Sequence, residues 1–147
     1  MTSADHQVVA RHLADLRRCL TQLKRHSGRP ASALLDVDEQ WAVERGLQLC
    51  AQNAIDIATH LATALGAEPA NYADAFDALA RLGVLPAEFV ARFRTVAGFR
   101  NVLVHAYLAI DARVVHEAVN GGLGEFDAFA AHVEAWLARS ESPPPGS

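Results

Sequence analysis

A chain of 147 residues with a formal net charge of −4 is one domain by length and has no global attraction for nucleic acid, so any RNA affinity must come from a local patch. It is 51% hydrophobic but only 7% aromatic, and its recurring Ala and Leu favour helix over sheet. Cys19 and Cys50 lie on apolar stripes, without CxxC or His/Cys spacing, and read as buried free thiols of a reducing compartment. The absence of a basic leader with an apolar core, and of any run approaching a membrane span, makes a soluble, cytoplasmic protein the expectation.

Residues 5–26 are predicted as the first helix. Val9, Leu13, Leu16, Leu20 and Leu23 step by three and four into a narrow apolar stripe, and Ser27-Gly28-Arg29-Pro30 stops it. Arg11, Arg17, Arg18, Lys24, Arg25 and Arg29 are set there against the single acid Asp15. Such a run reads either as a solvated face or as an RNA-facing patch, with the solvated face the more common outcome. A second helix runs from Asp38 to Leu65 with Gly66 as its stop. Its stripe is Val43, Leu47, Cys50, Ala54, Ile57, Leu61 and Leu65, widened by Leu49 and Ile55 as for a helix packed on more than one neighbour.

A short third helix spans Tyr72 to Leu82 and closes at Gly83. Pro86 suits the first turn of a fourth, which carries Phe89, Phe93, Val96 and Leu103 inward. From Asp111 the pattern is again helical, through Val114, Val115, Ala118 and Val119, then Leu123, Phe126, Phe129, Val133, Trp136 and Leu137. Asn120-Gly121-Gly122 and Gly124 interrupt it. Each interior Gly costs about 1 kcal/mol relative to Ala, so either a bent continuous helix or two helices with a tight joint follows. The expected organisation is a single all-α bundle over residues 1–139 and a disordered Pro/Ser-rich tail over 140–147.

The chemistry concentrates in Phe99-Arg100-Asn101-Val102-Leu103-Val104-His105-Ala106-Tyr107. Four polar side chains there enter an apolar segment, which must either carry a satisfied ion network or line a cleft. An Arg/His pair has what metal-free cleavage of a phosphodiester needs: a guanidinium fork for phosphate oxygens and an imidazole that moves a proton near neutral pH. His105 can take the proton of a 2′-hydroxyl or protonate the leaving oxygen. Arg100 can hold the non-bridging oxygens as charge builds, and Asn101 can orient a ring nitrogen or a phosphate. This route leaves a 2′,3′-cyclic phosphate and calls for no metal and no cofactor.

Blander roles exist for each residue. His105 can be a core histidine bonded to a carbonyl, Arg100 can pair with an acid such as Asp56 across the bundle, and Tyr107 can sit at an amphipathic boundary. The remaining histidines (His6, His12, His26, His60, His116 and His132) show no metal-like grouping. On a regular helix Arg100 and His105 lie about 7.5 Å apart in rise and on different faces, whereas Asn101 and His105 share one. Either the helix loosens near its end or a second copy completes the site, as a two-fold dimer apposing these helices would.

Arg100 to Tyr107 resembles the Arg-x4-His-x-Tyr motif of HEPN proteins of the HepT type, the ribonuclease toxins of HepT/MntA toxin–antitoxin pairs. Glu44-Arg45-Gly46-Leu47-Gln48 with Ile55-Asp56-Ile57 is similar to that family's second helix. Tyr72-Ala73-Asp74-Ala75-Phe76 with Leu79, Gly83-Val84-Leu85-Pro86 and Ala97-Gly98-Phe99 follow in order, so the similarity covers residues 38–138. The glycines at 121, 122 and 124 depart from the helix formers expected there. The resemblance implies a dimeric HEPN helical bundle with its cleft at the interface, Arg100 and His105 as the catalytic pair, and RNA as substrate. It also implies a neighbouring MntA-like nucleotidyltransferase acting as antitoxin by transferring AMP to Tyr107. The alternative is a non-catalytic helical adaptor that binds nucleotide or RNA and regulates the nucleotidyltransferase; intact Arg100 and His105 favour the enzyme.

Overall fold

In the computed structural model, which describes residues 1–105 and 111–141, the chain is helical throughout with no strand among the described residues. Helix α1 (Ser3–Lys24) leads through a 3-10 turn (Ala31–Leu35) into the long α2 (Val37–Ala64). Three short helices follow, α3 (Tyr72–Arg81), α4 (Ala87–Phe93) and α5 (Val96–His105). The chain then runs through α6 (Ala112–Glu117), a π turn (Ala118–Gly122) and α7 (Leu123–Glu141). No helix among the described residues is long and apolar enough to cross a membrane.

The helix starts follow local chemistry. Thr2 and Asp5 cap α1 reciprocally, while Asp36 caps α2 and Asn71 caps α3 through their side-chain oxygens. The α1 stripe predicted from spacing, Val9 to Leu23, is buried in full. It packs against α2 in an antiparallel hairpin whose rungs are His60 to Asp5 (2.8 Å), His12 to Asn53 (3.1 Å) and His26 to Glu39 (2.7 Å). Gly46 permits the close approach: a Cβ there would stand 2.5 Å from a Leu23 methyl.

Helix α7 returns antiparallel to α1, and Arg17 bonds both Asp127 and Glu134 at 3.1 Å. The core between these layers is aromatic. Phe93 stacks on Phe89 and Phe129 and meets Phe76 and Phe126 edge to face, with centroids 5.0–5.5 Å apart. Of the cysteines, Cys50 is buried and Cys19 half-buried; both are free, and burial pushes both thiols up.

The fourth predicted helix is two helices. Thr95 Oγ donates to the Arg92 carbonyl at 2.8 Å, competing with the helical ladder. Arg94 is forked onto Asp77 at 2.9 and 3.0 Å, which pins the break. Phe89 and Phe93 on α4 and Val96 and Leu103 on α5 all still reach the core. The glycine-interrupted segment resolves the other way, as one continuous helical run whose bonding widens to a π turn over Ala118–Gly122. There Ser27 Oγ donates to the Val119 carbonyl and the Gly28 N–H to Asn120 Oδ1, both at 2.7 Å, so the turn docks the loop after α1. Helix α7 continues through Ser140 and Glu141, which the sequence pattern assigns to the tail.

Candidate functional site

Helix α5 places the candidate residues. Val96, Ala97 and Leu103 face the core, and Gly98, Asn101, Val102 and His105 form the outer face. His105 and Asn101 therefore share an open side, as their four-residue spacing requires. Arg100 is half-buried at the core-facing side, about 140° around the helix from His105. Tyr107 lies outside the described residues.

The surroundings of Arg100 are unusual for a partly buried guanidinium. Its Nε donates to Gln52 Oε1 at 2.7 Å and one terminal nitrogen to Asn101 Oδ1 at 3.0 Å. The guanidinium carbon sits 5.7 Å from the centre of the Tyr72 ring, a cation–π distance. Gln52 Nε2 in turn donates to Asp56 Oδ1 at 2.8 Å. The acid considered as a direct ion-pair partner is thus joined to Arg100 through a neutral amide. Gln52, Asn101 and Tyr72 orient the group without neutralising it, and among the described residues the other terminal nitrogen has no hydrogen-bond partner and can meet an anion.

The geometry gives Asn101 a different task from the one its type alone indicates: its oxygen holds Arg100. His105 is exposed, which rules out the reading of it as a core histidine. Gln52 carries no sequence signal of its own, since a glutamine beside an apolar stripe is ordinarily solvated. The one hint is its i, i+4 spacing to Asp56.

The basic run of α1 behaves differently. Arg17 and Lys24 converge on Asp127, the latter at 2.8 Å. Arg18 pairs with Asp15, and Arg29 bonds Glu39 at 2.9 Å. Arg17 and Lys24 fasten α1 to α7 and Arg29 fastens its loop to α2, which favours a structural role for these three over an RNA patch. Among the described residues no three His, Cys, Asp or Glu side chains gather where a metal ion could be held.

An all-helical bundle with an Arg/His pair on a short helix near its surface defines a HEPN-type protein. The HepT-like ribonuclease model matches residues 8–133, and the chain belongs to that family. It is 30% identical over 140 residues to a tRNA nuclease HepT of Aphanizomenon flos-aquae, covering 93% of this chain and 95% of the relative. It is 26% identical over 132 residues to an mRNA nuclease HepT of Shewanella oneidensis, covering 88% and 98%. Among solved structures, the tri-AMPylated Shewanella oneidensis HEPN toxin bound to its MNT antitoxin superposes with a TM-score of 0.76 at 26% identity, covering 92% of this chain and 99% of that one.

Proposed function

We propose that this chain is the endoribonuclease toxin of a toxin–antitoxin pair and cuts RNA without a metal ion, using Arg100 and His105. The observation that carries the reading is the Arg100 guanidinium, charged, oriented by neutral partners and five residues before an exposed histidine. His105 takes the 2′-hydroxyl proton or delivers one to the leaving 5′-oxygen. Arg100 holds the non-bridging oxygens as charge develops at phosphorus, and a 2′,3′-cyclic phosphate results.

Because Arg100 and His105 sit on different sides of α5, the complete site takes residues from two copies. The outer face of α5, with Val102 53% exposed beside Asn101 and His105, is suited to a two-fold axis. Control by a cognate MntA-like nucleotidyltransferase fits the same site: AMP on Tyr107 adds negative charge and bulk two residues from His105. The AMPylated state of the Shewanella toxin supports that reading.

The test is RNA cleavage by the purified protein in EDTA, with the product ends identified by mass spectrometry. Undiminished cleavage giving cyclic phosphate is expected; activity lost to the chelator overturns the metal-free route. Incubation with the cognate transferase, ATP and Mg²⁺ is expected to place AMP on Tyr107 and silence the nuclease. A Tyr107→Phe protein that is modified equally well overturns that form of control.

A further inference from the structure

A cleft of about 470 Å³ opens between α1, α2 and the start of α3, lined by His12, Asp56, Thr59, His60, Thr63 and Tyr72. Its size falls in the range of small-ligand sites, about 300–1,000 Å³. Two of its walls connect to Arg100: the Tyr72 ring lies 5.7 Å from the guanidinium, and Asp56 is joined to it through Gln52. We infer that this cleft is a subsite for one base of the RNA strand whose phosphate Arg100 holds, and that it selects bases carrying an exocyclic amino group over uracil. The inference rests on the ribonuclease reading for its phosphate but makes its own prediction about the base.

The selection follows from which atoms are left over. Gln52 occupies Asp56 Oδ1 and leaves Oδ2 as an acceptor. Asn53 Nδ2 donates to the Leu49 carbonyl at 3.0 Å, which fixes the amide so that its Oδ1 accepts from His12 Nδ1. His12 is thereby engaged through Nδ1, and Asp56 Oδ2 remains the carboxylate acceptor of the cleft. Thr59 Oγ is shielded from solvent with no hydrogen-bond partner among the described residues, so it takes no part in the selection. His60 is engaged by Asp5.

A free carboxylate oxygen calls for a donating edge, such as the amino groups of cytosine, adenine or guanine, and disfavours a carbonyl of uracil. Tyr72, 39% exposed, supplies the face on which a base stacks without regard to its identity. Stacking on Tyr72 therefore gives affinity, and Asp56 gives selection.

Titration of the full chain with CMP and with UMP, followed by NMR of the Tyr72 ring and the Thr59 and Thr63 methyl groups, tests this without requiring cleavage. CMP is expected to shift these signals and to bind about tenfold more tightly than UMP, the discrimination of one good base contact. Tyr72→Ala is expected to weaken CMP about tenfold and Tyr72→Phe to retain it. Asp56→Asn, whose amide can donate to a uracil carbonyl, is expected to narrow or reverse the preference. Equal binding of CMP and UMP, shifts confined to other residues, or Tyr72→Phe as damaging as Tyr72→Ala overturns the subsite. If RNA is cut while these signals stay unmoved, the subsite fails and the nuclease reading stands. If CMP binds in the cleft but no RNA is cut, the subsite stands and the nuclease reading fails.

Discussion

The N-terminal helix and α5 make opposite use of cationic side chains. Helix α1 and its loop carry the basic run, yet Arg17, Lys24 and Arg29 close onto carboxylates of other helices and Arg18 onto Asp15 of its own. Helix α5 carries one arginine, and its partners are an amide, a second amide and an aromatic ring. The number of cations in a segment therefore says little about where an anionic substrate goes. What matters is whether the charge is already compensated: an exposed ion pair is worth little to stability but consumes the cation, whereas a neutral cradle orients it and leaves it available.

That contrast can be broken most severely at His105. His105→Ala is expected to reduce RNA cleavage by about 10²–10⁴-fold, the usual contribution of a proton-transfer group. Helical content is expected to stay unchanged, because the side chain is exposed and its loss leaves no cavity. Cleavage at the wild-type rate, measured on a defined oligonucleotide, sinks the assignment. Mixing His105→Ala with Arg100→Ala subunits sharpens it: partial recovery of activity marks a site shared between two copies, and no recovery marks a site within one.

On the other side of the comparison, α1 acts through packing. Gly46→Ala is expected to cost about 1–3 kcal/mol by forcing a methyl against Leu23, read as a lowered denaturation midpoint. An unchanged midpoint shows that α1 can yield at that point. Asp127→Ala frees Lys24 and leaves Arg17 with Glu134 alone. A loss of at most about 1 kcal/mol is expected from these partly exposed pairs. RNA affinity should rise, with a steeper salt dependence of about 0.7 in log–log slope for each newly engaged phosphate. Unaltered RNA binding means the α1 face lies away from the strand whatever its charge.

The smallest effect is a pH dependence at the start of α1. Bonds from the Thr2 N–H and hydroxyl, and from His60, hold the Asp5 carboxyl down to about 2 from an ordinary 3.8. A carboxylate lowered in the folded state stabilises above its unfolded value and loses that contribution as pH falls through the folded one. The difference in thermal midpoint between the wild type and Asp5→Asn should therefore be constant above pH 4 and shrink toward pH 2. A gap that persists unchanged at pH 2 contradicts the capping account.

Much of the frame is legible in the amino-acid pattern because it rests on periodicity. Val9 to Leu23 and Val43 to Leu61 step at helical spacing and are buried where that spacing places them. The break at Arg94 and Thr95 escapes such reading, since it depends on a hydroxyl taking a carbonyl and on an arginine meeting Asp77 from another helix. The π turn escapes it for the same reason: Ser27 and Gly28, far away in sequence, hold Val119 and Asn120. Arg100, Asn101 and His105 stand out as polar residues in an apolar segment. The role of Gln52 arises only when α2 and α5 are brought together, and the cleft only when α1, α2 and α3 meet, and no local pattern encodes either meeting.

The most direct measurement compares Arg100→Ala with an Arg17/Arg18/Lys24 triple alanine variant, side by side, in single-turnover RNA cleavage in EDTA. Removing the guanidinium held by neutral partners is expected to cost about 10²–10³-fold, the scale of a lost transition-state charge contact. Removing the three compensated cations should leave the rate within a few-fold of wild type. A triple variant that loses cleavage while Arg100→Ala keeps it would place the substrate on α1 and contradict the account.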